Sequence, residues 1–181
     1  MTTAFNTRIL TAIKRIDTTS RKSDRKGWTR FVLSVFSQAC PSTCQPYSSR
    51  DRRHPEYLVD LVWSYPNERG KWLPWSECRG LALAMECEWN GSTNGFWEDF
   101  IKLADVRADA RVFLGHLHKR AFREYSSTDG AFHHEIQRFL KRHRHFSAKD
   151  SIIVALWSYG GNQPLLVREY RKRSWVDLPS I

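Results

Sequence analysis

No stretch of this 181-residue chain holds the roughly 20 consecutive apolar residues that a bilayer-spanning helix needs. The opening MTTAFNTRILTAIKRIDTTSRK has no continuous apolar run of signal-peptide length, so export is not expected. It is also poor in acids and rich in Arg, Lys, Ser and Thr, with Leu10, Ile13 and Ile16 near helical spacing. Two readings follow, an organelle transit segment or a helix that packs back on the domain, and the second is the simpler. Four cysteines, at positions 40, 44, 78 and 87, are too few for a disulfide framework in a chain of this size, which points to reduced thiols and a cytoplasmic setting. Internal repeats and low-complexity tracts are missing as well.

What the chain does hold suits a packed core: 41% of residues are hydrophobic, 13% aromatic, and eight are tryptophan, so burial can offset the entropy of ordering. We place a single domain at residues 28–175, preceded by a basic N-terminal extension at residues 1–27. Net charge is +10, which favours an anionic partner. Its distribution is more informative. Residues 1–53 hold 11 Lys/Arg against 3 Asp/Glu and residues 117–173 hold 12 against 5, whereas residues 56–105 hold 4 against 9. The acids of this middle segment lie in apolar, strand-like sequence, where a carboxylate is costly unless it is paired or binds a cation.

Apolar positions 28, 31, 32, 35 and 36 in WTRFVLSVFSQA have helical spacing. SRKSDRKG (20–27) and PSTCQPYSSRDRRHP (41–55) read as loops. EYLVDLVWSY is rich in β-branched and aromatic residues and stops at Pro66, as a strand does. GLALAMECEW (80–89) alternates, with Leu81, Leu83, Met85, Cys87 and Trp89 on one face and Ala82, Ala84, Glu86 and Glu88 on the other. NGSTNG reads as a turn and FWEDFIKLAD (96–105) as a helix with Glu98 and Asp99 near its start. ARVFLGHLH is a predicted buried strand, and GAFHHEIQRFLKRHRHF (130–146) an amphipathic helix with a basic side. SIIVALWSY and PLLVREYRKR, joined by GGNQ, form a predicted hairpin. The order predicts an α/β fold, a sheet flanked by helices.

Asp60 lies within LVDLVW, Glu86 and Glu88 stand two apart on one face of the next strand, and Lys102 is on the helix after it. In this order the residues resemble the PD-(D/E)XK nuclease superfamily, over roughly residues 56–116. In that family an Asp on one strand and an acid on the adjacent strand hold the metal, and a lysine assists the water. The resemblance implies a restriction-endonuclease-like mixed β-sheet flanked by helices, here with an additional C-terminal hairpin. It implies a magnesium-dependent endonuclease acting on DNA before RNA, with Asp60 and Glu86 holding Mg2+ or Mn2+, Glu88 as auxiliary acid and Lys102 positioning the attacking water. No proline precedes Asp60, and Glu88 stands where the motif has lysine; in some branches the lysine comes from the following helix, where this chain has Lys102. Many such nucleases pair two sites to cut two strands, which extends the expectation to a homodimer, with no membrane partner.

Magnesium takes one or two carboxylates directly and keeps several waters, which suits Asp60 and Glu86. Lys119, Arg120, Arg123, Arg138, Lys141, Arg142 and Arg144 are the expected phosphate contacts on either side of the cut. Plainer readings stand beside these. Asp60 alone can bond a neighbouring backbone group, Glu86 and Glu88 can face solvent from an edge strand, and Lys102 can pair with Glu98 at i,i+4. Against the edge-strand reading, Leu81 to Met85 has no polar residue on either face. Zinc at Cys40 and Cys44 has no second close-spaced cysteine pair to complete it. His133, His134, His143 and His145 are most simply surface histidines near phosphates. The rival function is a non-catalytic nucleic-acid-binding or regulatory protein with a nuclease-like fold.

Overall fold

Apolar side chains recurring at helical and at alternating spacing can be buried together only by laying helices on both faces of a sheet. A computed structural model of the chain has this form; the residues it describes are 3–18, 25–49, 59–66, 80–89, 93–117, 131–147, 149–158 and 164–178. The elements in chain order are α1 (Thr3–Thr18), α2 (Arg25–Ala39), β1 (Gln45–Ser48), β2 (Leu61–Ser64), β3 (Leu81–Glu88), α3 (Thr93–Asp105) and β4 (Ala108–Leu117). They continue with α4 (Ala131–Arg142), β5 (Ser151–Ser158), β6 (Pro164–Arg171) and β7 (Ser174–Asp177). The strands lie side by side in that order in one mixed seven-stranded sheet. Its centre, β3–β4–β5, is parallel, and both wings are antiparallel. Parallel neighbours need long crossovers, and α3 and α4 supply them.

One face is covered by Ile9, Ile13 and Ile16 of α1 and Val32 and Phe36 of α2, packed with Leu83, Met85, Val112 and Leu114. The other is covered by Phe96, Phe100 and Leu103 of α3 and Ile136 and Leu140 of α4, packed with Ala84, Phe113 and Val154. Helix α1 therefore adds to the same core as the sheet. Arg111 is buried on β4, where its guanidinium donates to the Val106 carbonyl (2.8 Å) and to Asp150 (2.9 Å) and lies over the Phe146 ring. Among the described residues no helix is long and apolar enough to cross a membrane.

Several boundaries differ from the expected ones: α2 begins at Arg25, inside the expected 20–27 loop, and α4 stops at Arg142, short of the expected 146. The loop-like stretch 41–55 contains strand β1, which among the described residues has a neighbour on one side only and so accommodates Pro46, a residue unable to donate to a second ladder. Asp60 is not mid-strand but immediately precedes β2. Helix α3 begins at Thr93, inside the expected NGSTNG turn. The last hairpin strand ends at Arg171, and Lys172 and Arg173, both at positive φ (48° and 66°), turn the chain into β7.

Candidate functional site

The β2/β3 ladder is antiparallel and pairs Leu61 with Met85, so Asp60 and Glu86 stand one step beyond that pair, side by side. Alternation puts both on the α3 side of the sheet, with Val62 and Ala84, while Cys87 points into the opposite core. The Cys87 amide donates to Asp60 Oδ2 at 3.0 Å, and the Ser49 hydroxyl at the end of β1 donates to Oδ1 at 3.3 Å. Glu86 is 4% exposed. The two carboxyl groups are hydrogen-bonded to each other.

Burial first, then the charges of Asp60 and Asp99, push the Glu86 carboxyl up to about 10, with Lys102 pulling the other way. Burial also raises Asp60, although the Cys87 amide, Glu86 and Ser49 all favour its charged form. Two desolvated carboxylates in contact resist ionising together, so the pair favours keeping one proton between them.

Lys102 reaches toward this pair from α3, but its Nζ is held by Asp99 Oδ1 at 2.6 Å. The expected alternative partner is Glu98; the structure puts the ion pair at i,i+3 instead, and Glu98 adds only a smaller electrostatic contribution. The Asp99 hydrogen bond is the main cause that raises Lys102 above its ordinary value. Asp99 is a site residue that sequence reasoning missed. Its signal is the i,i+3 spacing to Lys102, which puts both side chains on one flank of α3 once the helix is known to start at Thr93. Glu88 ends β3 two positions beyond Glu86, half-buried and registered opposite Gly115 on β4. The charges acting on Glu86 come from Asp60, Asp99 and Lys102.

Two carboxylates stripped of water and neutralised by a shared proton form a donor set that a hard divalent cation also suits, since proton and cation compete for the same oxygens. Among the described residues no group of three or more His, Cys, Asp or Glu side chains is placed to hold a metal ion, so the arrangement offers a cation Asp60 and Glu86. Of the expected phosphate contacts, Arg138, Lys141, Arg142 and Arg144 are exposed on α4 and just after it. Lys119, Arg120 and Arg123 lie outside the described residues. No family model matches the chain, and no curated protein matches it.

Proposed function

We propose that the chain is a magnesium-dependent endonuclease that hydrolyses phosphodiester bonds in DNA, with a restriction-endonuclease-like fold of the PD-(D/E)XK kind. The observation that carries this reading is the Asp60–Glu86 carboxyl pair, withdrawn from water and set by adjacent strands on one face of the sheet with the Lys102 ammonium acting on it. When bound, magnesium or manganese neutralises the non-bridging oxygens of the phosphodiester. Asp60 and Glu86 would hold it, in place of the proton that the pair favours keeping. The Cys87 amide and Ser49 fix the Asp60 carboxylate so that it need not reorganise. Lys102, half exposed at 43%, orients the attacking water and offsets developing negative charge, with Asp99 steering its ammonium and Glu88 as auxiliary acid. Exposed cations of α4 hold the flanking phosphates. Thiols such as those of Cys40 and Cys44, outside any disulfide, suit a reducing cytoplasm, and cutting both strands of a duplex suits a homodimer.

The Asp99–Lys102 pair favours a second reading, because a lysine already neutralised at 2.6 Å is less available to a water. In that reading the chain binds nucleic acid without cutting it. One experiment separates the two: plasmid and single-stranded DNA incubated with Mg2+ or Mn2+. We expect cleavage that EDTA abolishes and that Asp60→Ala plus Glu86→Ala eliminates. Activity persisting in the double variant removes the nuclease proposal, and salt-sensitive binding indifferent to magnesium and to both substitutions establishes the second reading.

A further inference from the structure

Helices α3 and α4 lie side by side on the sheet, and between them runs a groove of about 510 Å3 lined by Trp97, Glu135, Arg138, Phe139, Arg142 and His143. Its aromatic part is pre-assembled: the Phe139 ring lies 5.8 Å from Trp97, 6.0 Å from Phe100 and 4.9 Å from His143. Its far end is pinned, since His143 Nε2 is 3.3 Å from Asp105 Oδ1 at the end of α3. Arg138 and Arg142 are exposed i,i+4 neighbours, about 5–6 Å apart at Cβ, so both guanidiniums can reach one phosphate or two in succession. Two arginines against the single acid Glu135 leave the groove cationic.

We infer that this groove binds an unpaired nucleotide of the DNA strand, the base stacking on Trp97 and the phosphate held by Arg138 and Arg142. The inference rests on the DNA reading above for the identity of the polymer. An aromatic platform beside paired guanidiniums suits single-stranded nucleic acid, because the bases of an intact duplex already stack on one another and present no free face. The groove is shallow and open, with room for about one nucleotide against Trp97 and Phe139. Among the other described tryptophans, Trp63 and Trp157 are buried, Trp28 and Trp89 pack on each other, and Trp175 packs on Tyr170, away from Arg138 and Arg142 on α4. At about 100° per residue, Trp97 lies roughly 140–160° around α3 from Asp99 and Lys102. The groove is therefore on the opposite flank of the helix from the carboxyl pair, and it holds a nucleotide away from the scissile phosphate. The preferred substrate has a single-stranded portion, such as a flap, an overhang or an open end.

The test measures binding, in EDTA so that no cleavage occurs, by fluorescence anisotropy of labelled oligonucleotides with the full chain. We expect a single strand to bind more tightly than a blunt duplex of equal length, and Trp97→Ala to weaken single-strand binding roughly 5- to 150-fold, the loss of one stacked base. Trp97→Phe keeps most of the affinity. Because Trp97 also packs on Phe96 and Phe100, the wild-type chain gives an independent measurement: an abasic single strand of the same length should bind more weakly than one carrying bases. Equal affinity for the two strands, or an unchanged Trp97→Ala variant, overturns the inference. A chain that shows these differences but never cuts DNA loses the nuclease reading alone, and a chain that cuts without them loses only this one.

Discussion

Glu86 is held in a state that is costly for folding and useful for binding a cation. Folded, its carboxyl keeps a proton up to about 10, whereas the ordinary glutamate value is 4.5. Between those values the folded chain binds more protons than the unfolded chain, so stability declines as pH rises through the window; below it both states are neutral and the effect vanishes. Asp60, also raised, acts in the same direction. Glu86→Gln keeps the shape and most of the hydrogen bonding but cannot ionise. Without metal, we expect the variant to exceed the wild type in stability by about 1–4 kcal/mol at pH 9, with the difference shrinking toward pH 4. Chemical denaturation across that range checks it, and a difference independent of pH would contradict a shared proton. The same variant should lose cleavage, the trade expected where a binding group is kept at the expense of stability.

At the scale of elements, the strand that carries Glu86 depends on what lies under its neighbour. Gly115 on β4 faces the Glu88 side of the sheet, and a Cβ there would come within 2.6 Å of the Phe113 ring and 3.1 Å of Leu156. Phe113 cannot move aside, because Phe96 and Phe100 close on it at 4.6 and 5.7 Å. Gly115→Ala should therefore cost about 1–3 kcal/mol, read as a lowered denaturation midpoint at unchanged slope. Much of this layer is legible in the sequence. The alternation in residues 81–89 and the apolar spacing in residues 28–36 are dictated by burial on a sheet and on a helix, and both elements form where they predict. Strand β1 is not legible, because an edge strand needs neither strong β-formers nor a second set of donors. The turn into β7 is hidden for a related reason: positive φ normally marks itself with Asn or Gly, and here Lys172 and Arg173 adopt it. At the candidate site, Asp60 and Glu86 stand out as acids in apolar sequence. Asp99 does not, since its proximity to Glu86 arises only when α3 packs on β3.

On the scale of the whole molecule, folding turns a linear pattern of acidic middle and basic flanks into a two-sided one. Helix α4 lies on the same face of the sheet as α3 and the carboxyl pair, whereas α1 and α2, with Lys26 and Arg30 exposed, cover the other. A net charge of +10 alone would attract DNA to any surface. The proposed geometry is more demanding, for only cations on the α3–α4 face can hold the phosphates of a strand whose backbone reaches Glu86. Replacing Arg138, Lys141, Arg142 and Arg144 together by Gln should make the dependence of log affinity on log salt shallower by about 3 for single-stranded DNA, at roughly 0.7 for each phosphate that is no longer neutralised. The paired change Lys26→Gln with Arg30→Gln should leave that slope where it is. Titrations between 50 and 200 mM salt read both. A slope reduced equally by changes on the two faces would mean that DNA is drawn by net charge and not by a surface, and the carboxyl pair would then have no strand brought to it.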